Sequence, residues 1–272
     1  MTTAEIAAAL LLSEPSVTQR IVRAKRKIRD AGIPLSIPAA LDERVDAVLA
    51  VLYLVFNEGY LSHTETTALR VDLADEAVRL ARVTATLVPG QPEVAGLLAL
   101  MLFQRSRFVT RLDADGELVL LQDQDRTRWD RGLVQEGNQI LARAMAARRP
   151  GVYQLQAAIA ALHANAQSPA DTDWPMIAGA YDQLYAMTGS PVVRLNHAVA
   201  VAMSDGPRAG LALLEEIEGL EQYHLLHATR GELLARDGRA VAAHHAFTTA
   251  RALTVNDAER RHLNARIATT RP

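Results

Sequence analysis

The sequence has no cysteine and few aromatic residues, and each scarcity excludes a class of structure. Without cysteine there can be no disulfide framework, thiolate metal site or cysteine nucleophile. Aromatic residues are 4% of the 272 residues, whereas apolar residues are 49%, so Ala, Leu, Val and Ile must fill the interior. Small and aliphatic side chains suit close helix packing, and the sequence therefore favours helices over sheets.

Long apolar runs are also missing. The two longest, residues 47–56 and 94–103, have ten residues each. A membrane-spanning helix needs about 20 apolar residues, so these runs predict core helices instead. The N-terminus carries no basic patch ahead of an apolar stretch, and no secretory signal is expected. We therefore expect a cytoplasmic protein with no membrane partner.

Common catalytic and cofactor motifs are absent too. There is no Gly-Lys pair for a P-loop, no Gly-x-Gly-x-x-Gly, no Gly-x-Ser-x-Gly and no His-Glu-x-x-His. The prediction is a non-enzymatic protein without a cofactor or metal. Two groups of side chains leave a metal site open as an alternative. One group could bind a hard cation and alone carries an enzyme alternative, although helix caps or salt bridges also explain it; it comprises Asp113, Asp115, Asp123, Asp125 and Asp130. The other group could bind a metal ion, although packing also explains it; it comprises His224, His227, His244 and His245.

Charge is distributed unevenly along the chain. Residues 1–34 carry six basic and three acidic groups, a balance of +3, and include both lysines of the sequence. The remaining residues carry 23 basic and 28 acidic groups, a balance of −5. A basic end joined to an acidic body indicates a nucleic-acid-binding module attached to a second module.

The first 34 residues contain the N-terminal signals of two helices. Thr2 followed by Glu5 is a capping box, which predicts a short helix. Ser13 or Glu14 caps a second helix, with Pro15 in its first turn, where the missing N–H costs nothing. A short helix, a tight turn and a longer helix predict a helix-turn-helix.

The second helix has one predicted buried stripe and one polar face. Val17, Ile21, Ala24 and Ile28 recur at helical spacing and form the stripe. In a helix-turn-helix, the outward side chains of the second helix reach base edges and phosphates in the major groove, although a solvated helix face is the alternative. The predicted DNA-binding residues are Ser16, Thr18, Gln19, Arg20, Arg23, Arg26 and Lys27.

The rest of the chain predicts a linker and a helical body. The two prolines of residues 34–38 indicate a linker over 35–41. Helical periods then cover 42–56, 63–87, 91–108 and 127–148, within a domain of 42–150. Residues 151–272 predict tetratricopeptide-like (TPR-like) repeats. In the last repeat Gly231, Ala243, Phe247 and Ala250 have the offsets of that unit, and an earlier unit pairs residues 153–164 with 174–188.

Several stretches resemble a known family. Residues 3–7 read Thr-Ala-Glu-Ile-Ala, and residues 17–34 read Val-Thr-Gln-Arg-Ile-Val-Arg-Ala-Lys-Arg-Lys-Ile-Arg-Asp-Ala-Gly-Ile-Pro. Both resemble the end of region four in bacterial extracytoplasmic-function (ECF) sigma factors, in the subgroup with a C-terminal tetratricopeptide extension. Residues 53–60, 116–121, 123–130 and 153–160 extend the resemblance over the whole chain. It implies contact with the promoter −35 element.

The resemblance also implies partners. A sigma factor would bind promoter DNA and the RNA polymerase core, and its repeat domain would bind a regulatory protein. Such factors carry region two and the start of region four ahead of these residues, so we expect a truncated relative or a fragment. The alternative is a stand-alone TPR-like interaction module with a vestigial DNA-binding segment. Predicted partner-binding residues are Asn57, Glu58, Tyr60, Asp123, Asp125, Arg126 and Trp129.

Overall fold

The fold is entirely helical in the part of the chain that the computed structural model describes, which is residues 2–9, 12–32, 44–60, 69–114, 116, 119–254 and 257–270. These ranges contain thirteen α-helices, a few short 3-10 helices and no β-strand. The predicted all-α class is confirmed. No helix in these ranges is both long and apolar enough to cross a membrane.

The chain divides into two compact units. The first comprises Met1–Val109 and Trp129–Arg149, and the second comprises Thr110–Arg128 and Pro150–Pro272. The predicted linker, 35–41, lies outside the described residues. The first unit has α1 (Thr3–Ala9), α2 (Glu14–Asp30), α3 (Val45–Tyr60), α4 (Val71–Leu87), α5 (Pro92–Ser106) and α6 (Arg131–Ala146). The second has α7 (Val152–Asn165), α8 (Trp174–Thr188), α9 (Pro191–Ser204), α10 (Pro207–Glu215), α11 (His224–Arg236), α12 (Ala240–Leu253) and α13 (Asp257–Thr269).

Helix α5 is the centre of the first unit. Its apolar run from Val94 to Phe103 is buried except at Ala95, which confirms the predicted core helix. A helix that is apolar all round must be covered on every side, and α3, α4 and α6 pack against it. A Cβ on Gly137 of α6 would lie 2.9 Å from the Phe103 ring. Helix α6 can therefore approach α5 closely at Gly137, because this residue has no side chain.

Gly59 sets the corner between α3 and α4. A Cβ at this position would lie 2.5 Å from the backbone nitrogen of Ala74 in α4. The backbone N–H of Arg70 donates to the Gly59 carbonyl at 2.9 Å. Gly59 does not form a left-handed cap, because α3 continues to Tyr60 and Gly59 is absent from the positive-φ residues. The glycine allows a close backbone approach instead.

The second unit is a succession of helices, each packed on the next. Helices α7 and α8 occupy the two spans predicted for the early repeat. In the last predicted repeat, a Cβ on Gly231 of α11 would lie 2.6 Å from the Phe247 ring of α12. On α10, a Cβ on Gly210 would similarly lie 2.5 Å from the Ala202 Cβ. This close pairing is what the repeat prediction requires, and the tetratricopeptide assignment itself stays a prediction.

A buried histidine stands beside an arginine in this second unit. His197 of α9 is 8% exposed, and its Nδ1 lies 3.2 Å from an Arg194 Nη1. Another Arg194 nitrogen donates to Glu216 at 2.5 Å, and the guanidinium lies over the Tyr185 ring. Burial lowers the pKa of His197, the Arg194 charge lowers it further, and Asp182 acts in the opposite direction. Neutral imidazole is thus favoured here.

Two helical glycines should respond oppositely to alanine. Gly59→Ala should lower the free energy of unfolding by about 1–3 kcal/mol, because backbone atoms must move to admit the methyl group. Gly179 of α8 has no neighbour within 4 Å of a built Cβ. Gly179→Ala should therefore raise stability by roughly 0.5–1 kcal/mol through helix propensity. Urea unfolding of both variants checks the pair, and equal effects would contradict this account of Gly59.

The His197 environment predicts a pH dependence. Because the pKa of His197 is lowered on folding, the unfolded chain binds more protons than the folded one, so stability falls as pH drops below about 6.5. His197→Gln should reduce this loss, since glutamine keeps an acceptor for Arg194 and gains no charge. Unfolding free energies between about pH 7.5 and pH 5 would be compared with those of His262→Gln at an exposed site. An unchanged acid slope in His197→Gln would contradict the prediction.

Candidate nucleic-acid interface

The N-terminal helix pair, α1 and α2, begins with the predicted capping box. The backbone N–H of Thr2 donates to Glu5 Oε2 at 2.5 Å, and the backbone N–H of Glu5 donates to the Thr2 hydroxyl at 3.2 Å. Both reciprocal bonds of the motif are present. The capping-box prediction is confirmed, and it fixes the first turn of α1.

The connection from α1 to α2 also follows the predicted signals. The backbone N–H of Leu12 donates to the Ala7 carbonyl at 2.9 Å and so satisfies one of the last carbonyls of α1. Ser13 takes the N-cap position of α2 with extended backbone, and Pro15 lies in the first turn. The Ser13 hydroxyl makes no capping bond. The extended backbone of Ser13 and the proline in the first turn, rather than a bond from the Ser13 hydroxyl, therefore define the start of α2.

The predicted buried stripe of α2 is only half correct. Val17 is 3% exposed and Ile21 is half-buried, as predicted. Ala24 and Ile28 are exposed, with Ile28 at 49%. The reason is length, because the seven residues of α1 span about 10 Å whereas the 17 residues of α2 span about 25 Å. Helix α1 covers only the first turns of its neighbour.

The predicted DNA-binding side chains lie outward along α2. Ser16 is half-buried and the other six are exposed. Helical spacing puts Gln19, Arg23 and Arg26 on the face opposite the buried stripe, with Arg20 and Lys27 together on one flank. The described contacts of these residues stay within α2: Thr18 to the Glu14 carbonyl, Arg23 to the Gln19 carbonyl, and Arg26 to Asp30 at 3.3 Å.

The helix itself carries a strong positive charge. Six cations stand against Glu14 in the first turn and Asp30 in the last turn. The Arg26–Asp30 pair is 80% and 61% exposed, so water screens it and it stabilises the helix little. Lys25 and Arg29, which we did not include among the DNA-binding residues, are exposed on the other flank. Cations therefore border the outer face on both sides, as phosphate contact across a groove requires.

The first predicted partner-binding group is part of a packed helix end. A loop that binds a partner would leave Asn57, Glu58 and Tyr60 accessible, but they form the last turn of α3. Glu58 is 1% exposed, and Tyr60 is half-buried with its ring 5.8 Å from that of Phe108. The guanidinium of Arg107 lies 5.3 Å from the Tyr60 ring centre. The loop interpretation is wrong, because these side chains are used in packing.

In the second predicted group, Arg126 and Trp129 are buried, whereas Asp123 and Asp125 are exposed. Arg126 is 5% exposed and donates to the carbonyls of His163 and Ala166, at 2.9 and 3.0 Å. These carbonyls end α7, where a cation is favoured by the helix dipole. Trp129 is 3% exposed and belongs to the first unit, whereas Asp123 and Asp125 belong to the second. No signal in the sequence distinguished such a structural arginine from a surface one.

Two of the five carboxylates considered as a cation site accept hydrogen bonds from nearby backbone N–H groups. Asp130 accepts from the backbone N–H of Leu133 at 3.0 Å and is the N-cap of α6. Asp125 accepts from the backbone N–H and hydroxyl of Thr127, and these bonds lower the pKa of Asp125. Asp115 lies outside the described residues. Among the residues that are described, no three His, Asp or Glu side chains are grouped as metal ligands would be.

Three of the four histidines considered as a metal site have separate partners. His224 Nε2 lies 3.0 Å from Glu259 Oε2. His227 contacts the Glu221 carbonyl at 2.8 Å, and His244 contacts that of Ile267 at 3.2 Å. These contacts connect neighbouring segments of the second unit and explain the histidines through packing.

Fold and site together define an all-helical protein that exposes one basic helix at its N-terminal end. Residues 44–145 match the model of a family described as a family of unknown function, DUF6596. Over 266 residues the chain is 47% identical to an uncharacterized protein of Rhizobium meliloti (strain 1021). That match covers 97% of this chain and 63% of the relative, so the chain spans less than two thirds of the relative's length. No solved structure matches the chain.

The family match and the candidate interface cover different helices. The matched residues contain α3 to α5 and nearly all of α6, whereas α1 and α2 lie ahead of them. Neither the family description nor the relative's name states an activity.

Arg126 should behave as a structural residue. Arg126→Met should lower the free energy of unfolding by about 2–3 kcal/mol, because two charge-assisted hydrogen bonds to carbonyls are lost. Arg128→Met is the matched control, since Arg128 is exposed in the same 3-10 helix and should change stability by less than about 0.5 kcal/mol. Thermal unfolding checks both, and equal shifts would show that the buried contacts contribute nothing.

Proposed function

We propose that this protein acts in transcription initiation in the manner of an ECF sigma factor. The N-terminal helix pair contacts −35 promoter DNA through α2. The helical body binds the RNA polymerase core or a regulatory protein. The mechanism is positioning in the cytoplasm rather than catalysis, since DNA and polymerase are held together without a bond being broken by this chain.

The exposed basic face of α2 is the observation that carries this proposal. The major groove is about 12 Å wide, which admits one α-helix. On α2, Gln19, Arg23 and Arg26 would meet base edges at the groove floor. Arg20 and Lys27 on one flank, and Lys25 and Arg29 on the other, would meet the phosphates of the two strands. This division follows from helical spacing alone.

The resemblance of residues 3–7 and 17–34 to region four supports the same assignment independently of charge. In this resemblance the second helix is the promoter-reading helix, and that is the helix whose side chains are exposed. Of the five carboxylates that carry the enzyme alternative, Asp125 and Asp130 accept hydrogen bonds from nearby backbone N–H groups.

A protein-interaction module is the second candidate function. The outer face of α8 supports it, because Met176 and Met187 are 58% and 49% exposed there. Gly179, between them, has open space above it. Exposed methionines adapt their shape to a partner, and they are frequent on surfaces that bind several sequences. This function does not require α2 to contact DNA.

DNA binding by α2 should be strongly salt-dependent. The chain would be titrated onto a fluorescent duplex that it has itself selected from a randomised pool, and anisotropy would be followed between about 50 and 200 mM salt. Arg20→Ala with Arg23→Ala should weaken binding, and the loss of the Arg20 phosphate contact should reduce the steepness of the log–log salt slope by about 0.9.

The control removes the same charge elsewhere. Arg79→Ala with Arg143→Ala changes two exposed arginines, on α4 and α6, and should leave affinity and slope nearly unchanged. Equal losses in both double variants would indicate a nonspecific charge effect. No binding by the folded wild-type chain at low salt would refute the DNA function and favour the interaction module.

A further inference from the structure

One carboxylate connects the helix pair to the body of the first unit. Glu5 of α1 is 4% exposed, and its Oε1 accepts a hydrogen bond from Arg70 Nη1 at 3.1 Å. The other oxygen, Oε2, accepts the capping-box bond from Thr2. The side chain of Arg70 is 31% exposed, so the pair is partly shielded from water and is screened less than a surface pair.

The body side of this contact is rigid. Arg70 is the N-cap residue of α4, and its carbonyl accepts from the backbone N–H groups of Leu73 and Ala74. Its own N–H donates to Gly59 at the end of α3. The guanidinium is thus anchored at the α3–α4 corner, where the missing Cβ of Gly59 allows the two backbones to meet. A second, longer contact, 3.7 Å, joins Arg70 to the exposed Asp72.

Packing acts in the same place as the ion pair. Helix α1 packs against α3 as well as against α2, and Ala7 is 4% exposed. The body therefore holds the helix pair through α1, while the cations of α2 stay exposed. In this arrangement α2 is presented to a ligand and is not covered by the body of the first unit.

We propose that Glu5 and Arg70 are positioning residues that set the orientation of α2 on the helical body. This inference rests on the proposed DNA function and specifies how that site is regulated. When the body holds α2 in one orientation, a high fraction of the molecules has α2 oriented for DNA binding. Loss of the ion pair gives the helix pair access to other orientations on the body and lowers that fraction, without changing any side chain of α2.

The DNA-binding test separates orientation from contact. Glu5→Gln keeps the capping box, because glutamine also serves at that position, and removes the charge. Arg70→Met removes the guanidinium. Both should weaken duplex binding about tenfold, since apparent affinity falls with the competent fraction. The log–log salt slope should not change, because every cation of α2 remains. A slope change, or wild-type affinity in both variants, would overturn the proposal.

Two controls accompany these variants. Arg82→Met breaks the ion pair between Arg82 and Glu136, which joins α4 to α6 in the same unit, and should leave DNA affinity unaltered. Arg70→Lys retains a charge opposite Glu5 and should recover part of the lost affinity. If Arg82→Met weakened DNA binding as well, the cause would be a general loss of stability, and a specific positioning role would be excluded.

A second measurement needs no DNA. Because the chain has no cysteine, spin labels can be placed at Ala24→Cys on α2 and Val83→Cys on α4, both exposed sites. The distance distribution between them should be narrow in the parent chain and should broaden in Glu5→Gln and Arg70→Met but not in Arg82→Met. Unchanged distributions would refute the positioning role even if DNA binding is confirmed. Broadened distributions in a chain that never binds DNA would refute only the proposed function.

Discussion

Close helix packing depends on glycine at a few positions where another side chain would force the backbones apart. With few aromatic rings to fill gaps, the interior is made of aliphatic side chains and short interhelical distances. Gly59, Gly137, Gly210 and Gly231 each lie where a Cβ would come within 2.9 Å of a neighbouring helix. The corner at Gly59 has the widest consequence, because it fixes the start of α4. It therefore also positions the Arg70 guanidinium, which donates a hydrogen bond to Glu5 of α1.

Local chemistry in the sequence predicted the beginnings of elements well. The Thr2–Glu5 capping box, the start of α2 after Ser13 and the α7 and α8 spans depend on residues close together in the chain, and the structure contains all of them. The apolar run in α5 is buried as predicted, whereas the equally long run in α3 leaves Val48 and Val51 exposed, so an apolar run alone does not predict burial on every side.

What could not be predicted depends on partners distant in sequence. The exposed end of the α2 stripe reflects the short length of α1, and periodicity carries no information about how far a neighbour extends. Arg126 resembled a surface cation until its carbonyl partners, 37 and 40 residues away, were known. Glu5 and Arg70 are 65 residues apart, and nothing in either local sequence indicates the other. The candidate interface was predictable by residue type, but its attachment to the body was not.

The uncovered half of α2 has a thermodynamic consequence. From Ala24 onward the helix is held by backbone hydrogen bonds, intrinsic propensity and one exposed ion pair, because apolar burial ends near Ile21. Local opening free energies are smallest where burial is least, so the last turns of α2 should open far more often than its first turns. A ligand that binds the closed form stabilises those turns by mass action. The heat and heat capacity of binding would then include the folding of this segment, and the contact area alone would underestimate both.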